Sequence, residues 1–260
     1  AQIMPVVKAN AYGHGLITCS KYLEKIGAPY LCVAFLEEGI QLRQAGIKTN
    51  ILVLGGIFNN QIEHFLDFDL DITVSSLTKL EAVNAAAKNA GKKARIHLKV
   101  DTGMNRVGIR VENAPQLFEK AIAADSCEII SVYSHFVNAE TGDISFAKEQ
   151  LSQFLDCVSY FKEKPLLHMA NTPALLALPE SRLDFVRPGL GIYGICPGEA
   201  FRKDFNFRPA LTLKSKVVYF KVVKEGQGVS YGRTWTAGKD SRVVTVPLGY
   251  GDGVLRRLSN

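Results

Sequence analysis

Residues Met4–Gly15 read MPVVKANAYGHG. Pro5, Val6 and Val7 form a short apolar run, Lys8 follows at once, and Gly13 and Gly15 close the stretch. A short apolar run closed by glycine predicts a buried strand leading into a loop. A lysine at the end of such a strand has apolar neighbours on one side, and burial disfavours its ammonium form. An amine tuned in this way can form a Schiff base with an aldehyde or shuttle a proton. The competing reading is a surface lysine whose stem lies along the strand end with its head in water.

The same texture repeats outward from this stretch. Apolar runs occur at Ile3–Val7, Tyr30–Ala34, Ile51–Leu54, Leu70–Val74, Ala94–Val100, Glu128–Ser134, Leu166–Met169 and Leu183–Val186. Amphipathic stretches such as Leu77–Asn89 and Phe146–Phe161 lie between them; in the second, Phe146, Gln150, Phe154, Val158 and Phe161 share roughly one helical face. Strands alternating with helices predict an α/β fold with parallel strands and right-handed crossovers. Eight strands are the number that closes a (β/α)8 TIM-type barrel. The alternative, an open doubly wound sheet, ordinarily carries a GxGxxG turn, which this sequence lacks.

The pattern changes near Pro197. From Arg208 to Leu258 the chain reads as β structure: LTLKSKVVYFKVV alternates, EGQGVSYG turns, and RVVTVPLGYGDG follows. This predicts a barrel over residues 1–200 and the start of a β-rich C-terminal domain over 201–260. The β pattern still runs where the sequence stops, and the remaining residues are few for a closed β-domain with covered edges. The expected domain is therefore incomplete in this chain.

Catalytic groups of an eight-stranded α/β barrel sit at the C-terminal ends of its strands. Here Lys8 follows strand one, DTGMNRVG (Asp101–Gly108) follows strand five, and His135 follows strand six. Asn171 and Thr172 follow strand seven, and Arg187 follows strand eight. Residues suited to an anionic, titratable ligand thus gather at one rim, and closure of strand eight on strand one makes Arg187 a neighbour of Lys8. Each has a structural alternative. Arg106 and Arg187 could be solvated or capping side chains, His135 a core histidine, and Asn171–Thr172 before Pro173 an ordinary helix start.

Composition bounds the function. The chain has 260 residues, is 47% hydrophobic and carries a net charge of +6, enough to bury a full core. No basic stripe is concentrated on one element, so no nucleic-acid partner is expected. Cys19, Cys32, Cys127, Cys157 and Cys196 are odd in number, widely spaced and without CxxC, which predicts neither a disulfide framework nor a zinc site. No metal is expected. No segment is apolar for long enough to span a bilayer and no signal peptide is visible, so the expectation is a cytoplasmic protein without a membrane partner. The first residue is not Met, and the chain starts inside a strand approach, which predicts further residues upstream.

The string VVKANAYGHG resembles the cofactor-lysine segment of the alanine racemases, pyridoxal-phosphate enzymes built on a barrel. The likeness recurs in matching order to the chain end. It implies that Lys8 carries pyridoxal 5′-phosphate as an internal aldimine and that Tyr12 approaches its phosphate. KVDTGMNRVG resembles the segment whose arginine, here Arg106, contacts the ring oxygen of the cofactor and the substrate carboxylate. HMANTPA resembles a phosphate-binding segment, here Thr172 with Asn171 beside it. VRPGLGIYG resembles the run whose arginine, here Arg187, meets the pyridine nitrogen, with the backbone of Gly189 and Leu190 near the phosphate. His135 matches the histidine that packs near the ring and touches that arginine. Lys99 stands where the family often has a carbamylated lysine. GVSYGRTW resembles the segment carrying a second base, here Tyr231, delivered from the other subunit of a head-to-tail homodimer. PLGYGDG resembles a segment that places Tyr250 near the substrate entrance.

The activity so implied is interconversion of L- and D-alanine through an external aldimine with two opposed bases, Lys8 and Tyr231, supplying D-alanine for cell-wall peptidoglycan. The alternatives are a broad-specificity amino-acid racemase and a barrel-type decarboxylase. Decarboxylases of that kind place an acidic residue at the pyridine nitrogen, where this sequence has Arg187. A non-catalytic pyridoxal-phosphate carrier would be a single barrel without Tyr231.

Overall fold

In the computed structural model, which describes residues 1–258, the chain divides into two compact units, one of residues Ala1–Ala210 and one that begins at Leu211. The first is a parallel barrel. Its strands are β1 Gln2–Ile3, β2 Tyr30–Val33, β3 Asn50–Val53, β4 Asp71–Val74, β5 Ala94–Asp101, β6 Cys127–Tyr133, β7 Leu166–His168 and β8 Phe185–Val186. The hydrogen-bonded order is β1-β8-β7-β6-β5-β4-β3-β2. Every pairing along this path is parallel. Val7 N–H donates to Cys32 O (2.8 Å) and Cys32 N–H donates to Pro5 O (2.8 Å), which joins β1 to β2 and closes the ring. A short strand, Ile109–Arg110, adds to the end of β5.

The helices follow from apolar periodicity and local caps. Helix α1 (Lys8–Tyr12) is the short turn at the rim and α2 is Leu16–Lys25. Next come α3 Leu36–Gln44, α4 Ile62–Asp67 and α5 Leu77–Asn89. Ser76 caps α5 by accepting from Lys79 N–H (3.3 Å), and Leu80, Val83 and Ala87 form its buried stripe. Helix α6 (Ala114–Ile122) carries proline in its first turn. In α7 (Ser145–Val158) Gln150, Phe154 and Val158 are buried, together with Phe161 just beyond it, while Phe146 stays exposed. The last, α8 (Thr172–Ala177), is capped by Asn171, whose Oδ1 accepts from Ala174 N–H at 3.1 Å.

Strand side chains alternate between two environments, as a period of two requires. One set, including Leu31, Val33, Ile51, Val53, Ile72, Val74, Ile96, Leu98, Val132 and Val186, packs outward under the helices. The inward set differs between the two sides of the barrel. Met4, Val6, Tyr30, Cys32, Leu52 and Phe185 make an apolar side. Asp71, Thr73, His97, Lys99, Ser131, Tyr133, His168 and Arg187 are also buried and make a polar side. One bulge serves this second set. Ile96 pairs with Ile129 but His97 pairs with Ser131, so Ile130 is an extra residue that brings Ser131 and Tyr133 into the interior.

The chain from Ile195 to Ala210 stays with the barrel. Gly194 ends the one-turn helix Leu190–Tyr193 in the left-handed region (φ 71°), and a side chain there would collide with the Arg208 carbonyl. Ala210 N–H donates to Tyr193 O at 3.0 Å. The second unit is antiparallel: β9 (Tyr219–Val223) pairs with β12 (Ser241–Thr245), and β10 (Gly228–Val229) pairs with β11 (Trp235–Thr236). No helix among the described residues is long and apolar enough to cross a membrane.

Candidate active site

Two adjoining lobes, of about 310 Å³ and about 300 Å³, open at the C-terminal ends of the strands. Both are bordered by Lys8, Leu54, Met104, His135 and Arg187, which makes them parts of one cavity. Tyr12, Asn171, Thr172, Gly189 and Leu190 line the first lobe, and Lys99, Arg106 and Tyr133 line the second. The sequence-predicted residues of the barrel therefore meet in one place. Glu140 is the carboxylate among the lining residues, against Lys8, Lys99, Arg106 and Arg187. Basic side chains thus outnumber carboxylates around the cavity.

Lys8 is half-buried and is followed by an unusual turn. Ala9, Asn10, Ala11 and Tyr12 all have φ between 53° and 56°, one turn of left-handed helix. Each such residue costs about 1–2 kcal/mol, so neighbours must hold the turn. Ala9 N–H donates to Glu38 Oε1 (2.5 Å), Leu16 N–H to Asn10 Oδ1 (2.8 Å), and Ala11, fully buried, donates to Val7 O (2.8 Å). Glu38 Oε2 also accepts from Ala34 N–H (2.8 Å) and Phe35 N–H (3.2 Å), so this one carboxylate ties the lysine turn to the start of α3. Burial and the nearby Arg106 charge push the Lys8 pKa below its ordinary value.

Arg187 is buried beside β1. Its backbone N–H donates to Ala170 O (2.8 Å), and its guanidinium donates to Ser134 O (2.7 Å), Met169 O (3.2 Å), His135 Nδ1 (3.3 Å) and, in a very short bond, His168 Nδ1. The Arg187 guanidinium carbon lies 5.0 Å and Lys99 Nζ 4.4 Å from the centre of the Tyr133 ring. Tyr133 stacks on His168 at 4.7 Å and bonds Thr73 Oγ1 at 2.7 Å; burial pushes its pKa up to about 12. Lys99 is buried, and desolvation with the Arg187 charge pushes its pKa well below the ordinary lysine value. Burial, then Arg187, does the same to His135 and His168, which are held neutral.

The opposite wall is a cradle of small groups. Gly189 and Gly191 N–H both donate to Thr172 Oγ1, at 3.0 and 3.2 Å. Tyr12 Oη approaches Gly189 so closely that a Cβ there would lie 2.5 Å from it. Asn171 uses its side-chain oxygen for the α8 cap. Arg106 is exposed on the loop Asp101–Gly108, where Asp101 Oδ1 accepts from Gly103 and Asn105 N–H at 2.9 and 3.1 Å. Tyr231 and Tyr250 belong to the second unit, each exposed at the start of a one-turn helix.

Sequence reading missed Glu38 and the buried polar residues below the cavity, Asp71, His97, Ser131, Tyr133 and His168. A signal existed for some of them. In Arg95–Asp101, RIHLKVD, polar residues fall on every second position of a strand, which marks a polar inward face.

The fold and this cavity define a parallel α/β-barrel enzyme with a cationic ligand site at its strand ends. Comparison with known proteins is specific. The alanine racemase N-terminal domain matches residues 1–197, and the alanine racemase C-terminal domain matches residues 210–260. An alanine racemase from Caldanaerobacter subterraneus is 38% identical over all of this chain and 68% of its own length. The crystal structure of alanine racemase from Streptomyces lavendulae superposes with a TM-score of 0.92 at 36% identity, over 100% of this chain and 70% of that one. A histidine racemase from Leuconostoc mesenteroides superposes at 0.89 with 31% identity, over 97% and 69%. The chain belongs to the alanine racemase family.

The two neutral histidines make stability depend on pH. Below the ordinary histidine pKa of 6.5 the unfolded chain takes up protons that His135 and His168 refuse in the folded state. Unfolding then binds protons, so stability falls as pH drops, by up to about 1.4 kcal/mol per pH unit for each histidine. Denaturant midpoints measured from pH 8 to pH 5.5 should be level above about 7 and decline below it, and His135→Gln should remove part of the decline.

Proposed function

We propose that the protein is a racemase that interconverts L- and D-alanine with pyridoxal 5′-phosphate, acting as a head-to-tail homodimer in the cytoplasm and supplying D-alanine for peptidoglycan. The observation that carries this reading is the placement of Lys8, with its lowered pKa, in the same cation-lined cavity as Arg187 and the Thr172–Gly189 cradle. The residues present fit the cofactor. The Thr172 hydroxyl, which accepts from the Gly189 and Gly191 N–H groups and so has its own hydrogen to give, and the Tyr12 hydroxyl suit a phosphate, and the close Tyr12–Gly189 approach leaves no room for a Cβ. An uncharged amine is the form that attacks an aldehyde, and the environment of Lys8 favours it.

When bound, pyridoxal phosphate supplies an electron sink that acidifies the α-proton of an attached amino acid. The protein selects among the possible outcomes. Arg187 can only donate, so at the pyridine nitrogen it would keep that atom unprotonated. The sink is then weaker, which favours return of the proton to Cα over transamination. Thr172, Gly189, Leu190 and Tyr12 would hold the phosphate, with Asn171 shaping the helix start beside it. Arg106 would orient the substrate carboxylate and the ring oxygen. His135 would pack near the ring and steady Arg187. Tyr250 would border the substrate entrance.

Inversion at Cα needs proton transfer on both faces. Two fixed bases keep each within reach without crossing the ring plane. Lys8 would serve D-alanine, and Tyr231 of the partner subunit would serve L-alanine. A broad-specificity racemase is the second reading, favoured by the likeness to a histidine racemase. A decarboxylase is disfavoured by a cation at position 187.

The functional test is incubation of the intact dimer with L-alanine, L-serine or L-lysine and chiral analysis of the products. D-Alanine should form fastest; equal rates favour the broad-specificity reading, and release of CO2 without inversion supports the decarboxylase. In the same enzyme, Tyr231→Phe should keep bound cofactor yet lose exchange of the L-alanine α-proton with solvent deuterium by at least about a hundredfold. Exchange at the native rate would rule out Tyr231 as the base. Lys8→Ala should lose both cofactor attachment and D-side exchange.

Lys99 also supports a modification. A buried ammonium close to Arg187 and Arg106 is unfavourable, and both charges act against it. A carbamate reverses the charge and would accept from Arg106, orienting it. Protein equilibrated with 13C-bicarbonate should show a carbamate carbon resonance that disappears in Lys99→Gln; its absence in the native protein would refute the modification.

A further inference from the structure

A file of hydrogen-bonded side chains runs the length of the barrel interior, from Arg187 at the cavity to Asp71 at the first residue of β4. Arg187 meets His168 Nδ1, and His168 Nε2 lies 2.8 Å from Ser131 Oγ. Ser131 Oγ lies 2.6 Å from His97 Nδ1, and His97 Nε2 lies 3.0 Å from Asp71 Oδ2. Tyr30 Oη donates to the same oxygen at 2.9 Å, and Arg95 Nε donates to Oδ1 at 2.6 Å.

With one ring proton on each histidine, the two ends fix the direction of every bond between them. A guanidinium has only donors, so His168 Nδ1 must accept. Neutral His168 then carries its proton on Nε2 and donates to Ser131. Ser131, having accepted there, has one hydrogen to give, and His97 Nδ1 is the acceptor in line. His97 then carries its proton on Nε2 and donates to Asp71, an acceptor-only carboxylate. The bonds point the same way from end to end, so each polarises the next.

We propose that Asp71 is a positioning residue for Arg187, acting through His97, Ser131 and His168 to keep His168 Nδ1 an open acceptor and so hold the guanidinium in place at the cavity. A purely structural role is the competing account. Filling the barrel does not need polar residues, since Met4, Val6, Tyr30, Cys32, Leu52 and Phe185 fill the other side. Replacing buried charged groups by apolar ones of equal volume is often neutral or stabilising. What the polar file adds is a defined tautomer next to Arg187. The link to catalysis rests on the reading that Arg187 meets the pyridine nitrogen.

Asp71→Asn tests the proposal. Arg95 claims the one remaining carbonyl oxygen, and the amide then donates to His97 Nε2. The proton of His97 moves to Nδ1 and donates to Ser131, which can then no longer give its hydrogen to His97; giving it to His168 Nε2 instead leaves His168 with Nδ1–H, facing a guanidinium that can only donate. Two-bond 1H–15N spectra of the whole protein labelled with 15N-histidine report these tautomers with or without cofactor. Native protein should show Nε2–H at both His97 and His168, and Asp71→Asn should show Nδ1–H at His168. In the loaded dimer kcat should fall about tenfold or more, with KM for alanine within about twofold of native. Ser131→Ala cuts the file without changing charge and should leave His168 as a mixture of tautomers; if Asp71→Asn does not fold, this variant decides. An unchanged His168 tautomer in the deciding variant overturns the proposal, as does a reversed tautomer with native kcat. Native tautomers as expected in a protein that does not racemise alanine would refute the racemase reading and leave the tautomer control standing.

Discussion

Arg187 is a donor that cannot become anything else, and it is buried. Each N–H that finds no acceptor in such a place would leave an unpaired charge-bearing group, a loss of several kcal/mol. The surrounding fold can be understood as the supply of acceptors. The carbonyls of Ser134 and Met169 each lie one residue beyond β6 and β7, and His168 is the last residue of β7. The strand ends must therefore stand at the right height around the rim, which the register of a closed barrel enforces. The bulge at Ile130 has the same logic, since without it Ser131 and Tyr133 would face the helices.

Lys8 depends on this closure from the other side. β1 is only two residues long, yet the chain after it is fastened by Val7 to Cys32 and by Val6 N–H to Pro188 O at 3.0 Å. Tyr193 Oη adds a bond to Val6 O at 3.0 Å. These ties fix the approach to Lys8, and the left-handed turn fixes its departure. The strain of four left-handed residues is offset by Glu38, Asn10 and the burial of Ala11. The direction of the lysine is thus set by backbone bonds on both sides rather than by its own flexible stem.

The barrel was legible because parallel strands buried on both faces are written as largely apolar runs, and all eight runs lie on or overlap strands. The strand-end rule then assembled Lys8, Arg106, His135, Thr172 and Arg187 around one cavity. The inner polar side was not legible in the same way. His97 and His168 sit in runs that also contain Ile96, Leu98 and Leu167, so apolar content masked the alternation. The left-handed turn was hidden too: ANAY has no glycine, and only tertiary contacts, Glu38 foremost, stabilise that conformation. Asn171 is a case where both readings hold at once, because the residue capping α8 also lines the cavity.

The clustering of positive groups has an energetic consequence for the free and the ligand-bound protein. Burial first, and then the neighbouring arginine charges, oppose the charged forms of Lys8, Lys99 and His135. Arg187 keeps its charge, in a buried setting where water screens it poorly. On the proposed function, a phosphate and a carboxylate would bring the opposite charge, and an aldehyde would consume the Lys8 amine. Stability and binding are then linked by mass action, because only the folded chain gathers these groups into one place. On the proposed function, the positive charge of Arg187 would favour an anionic cofactor, and the directed bonds of the barrel interior would keep the buried guanidinium from relaxing away from it.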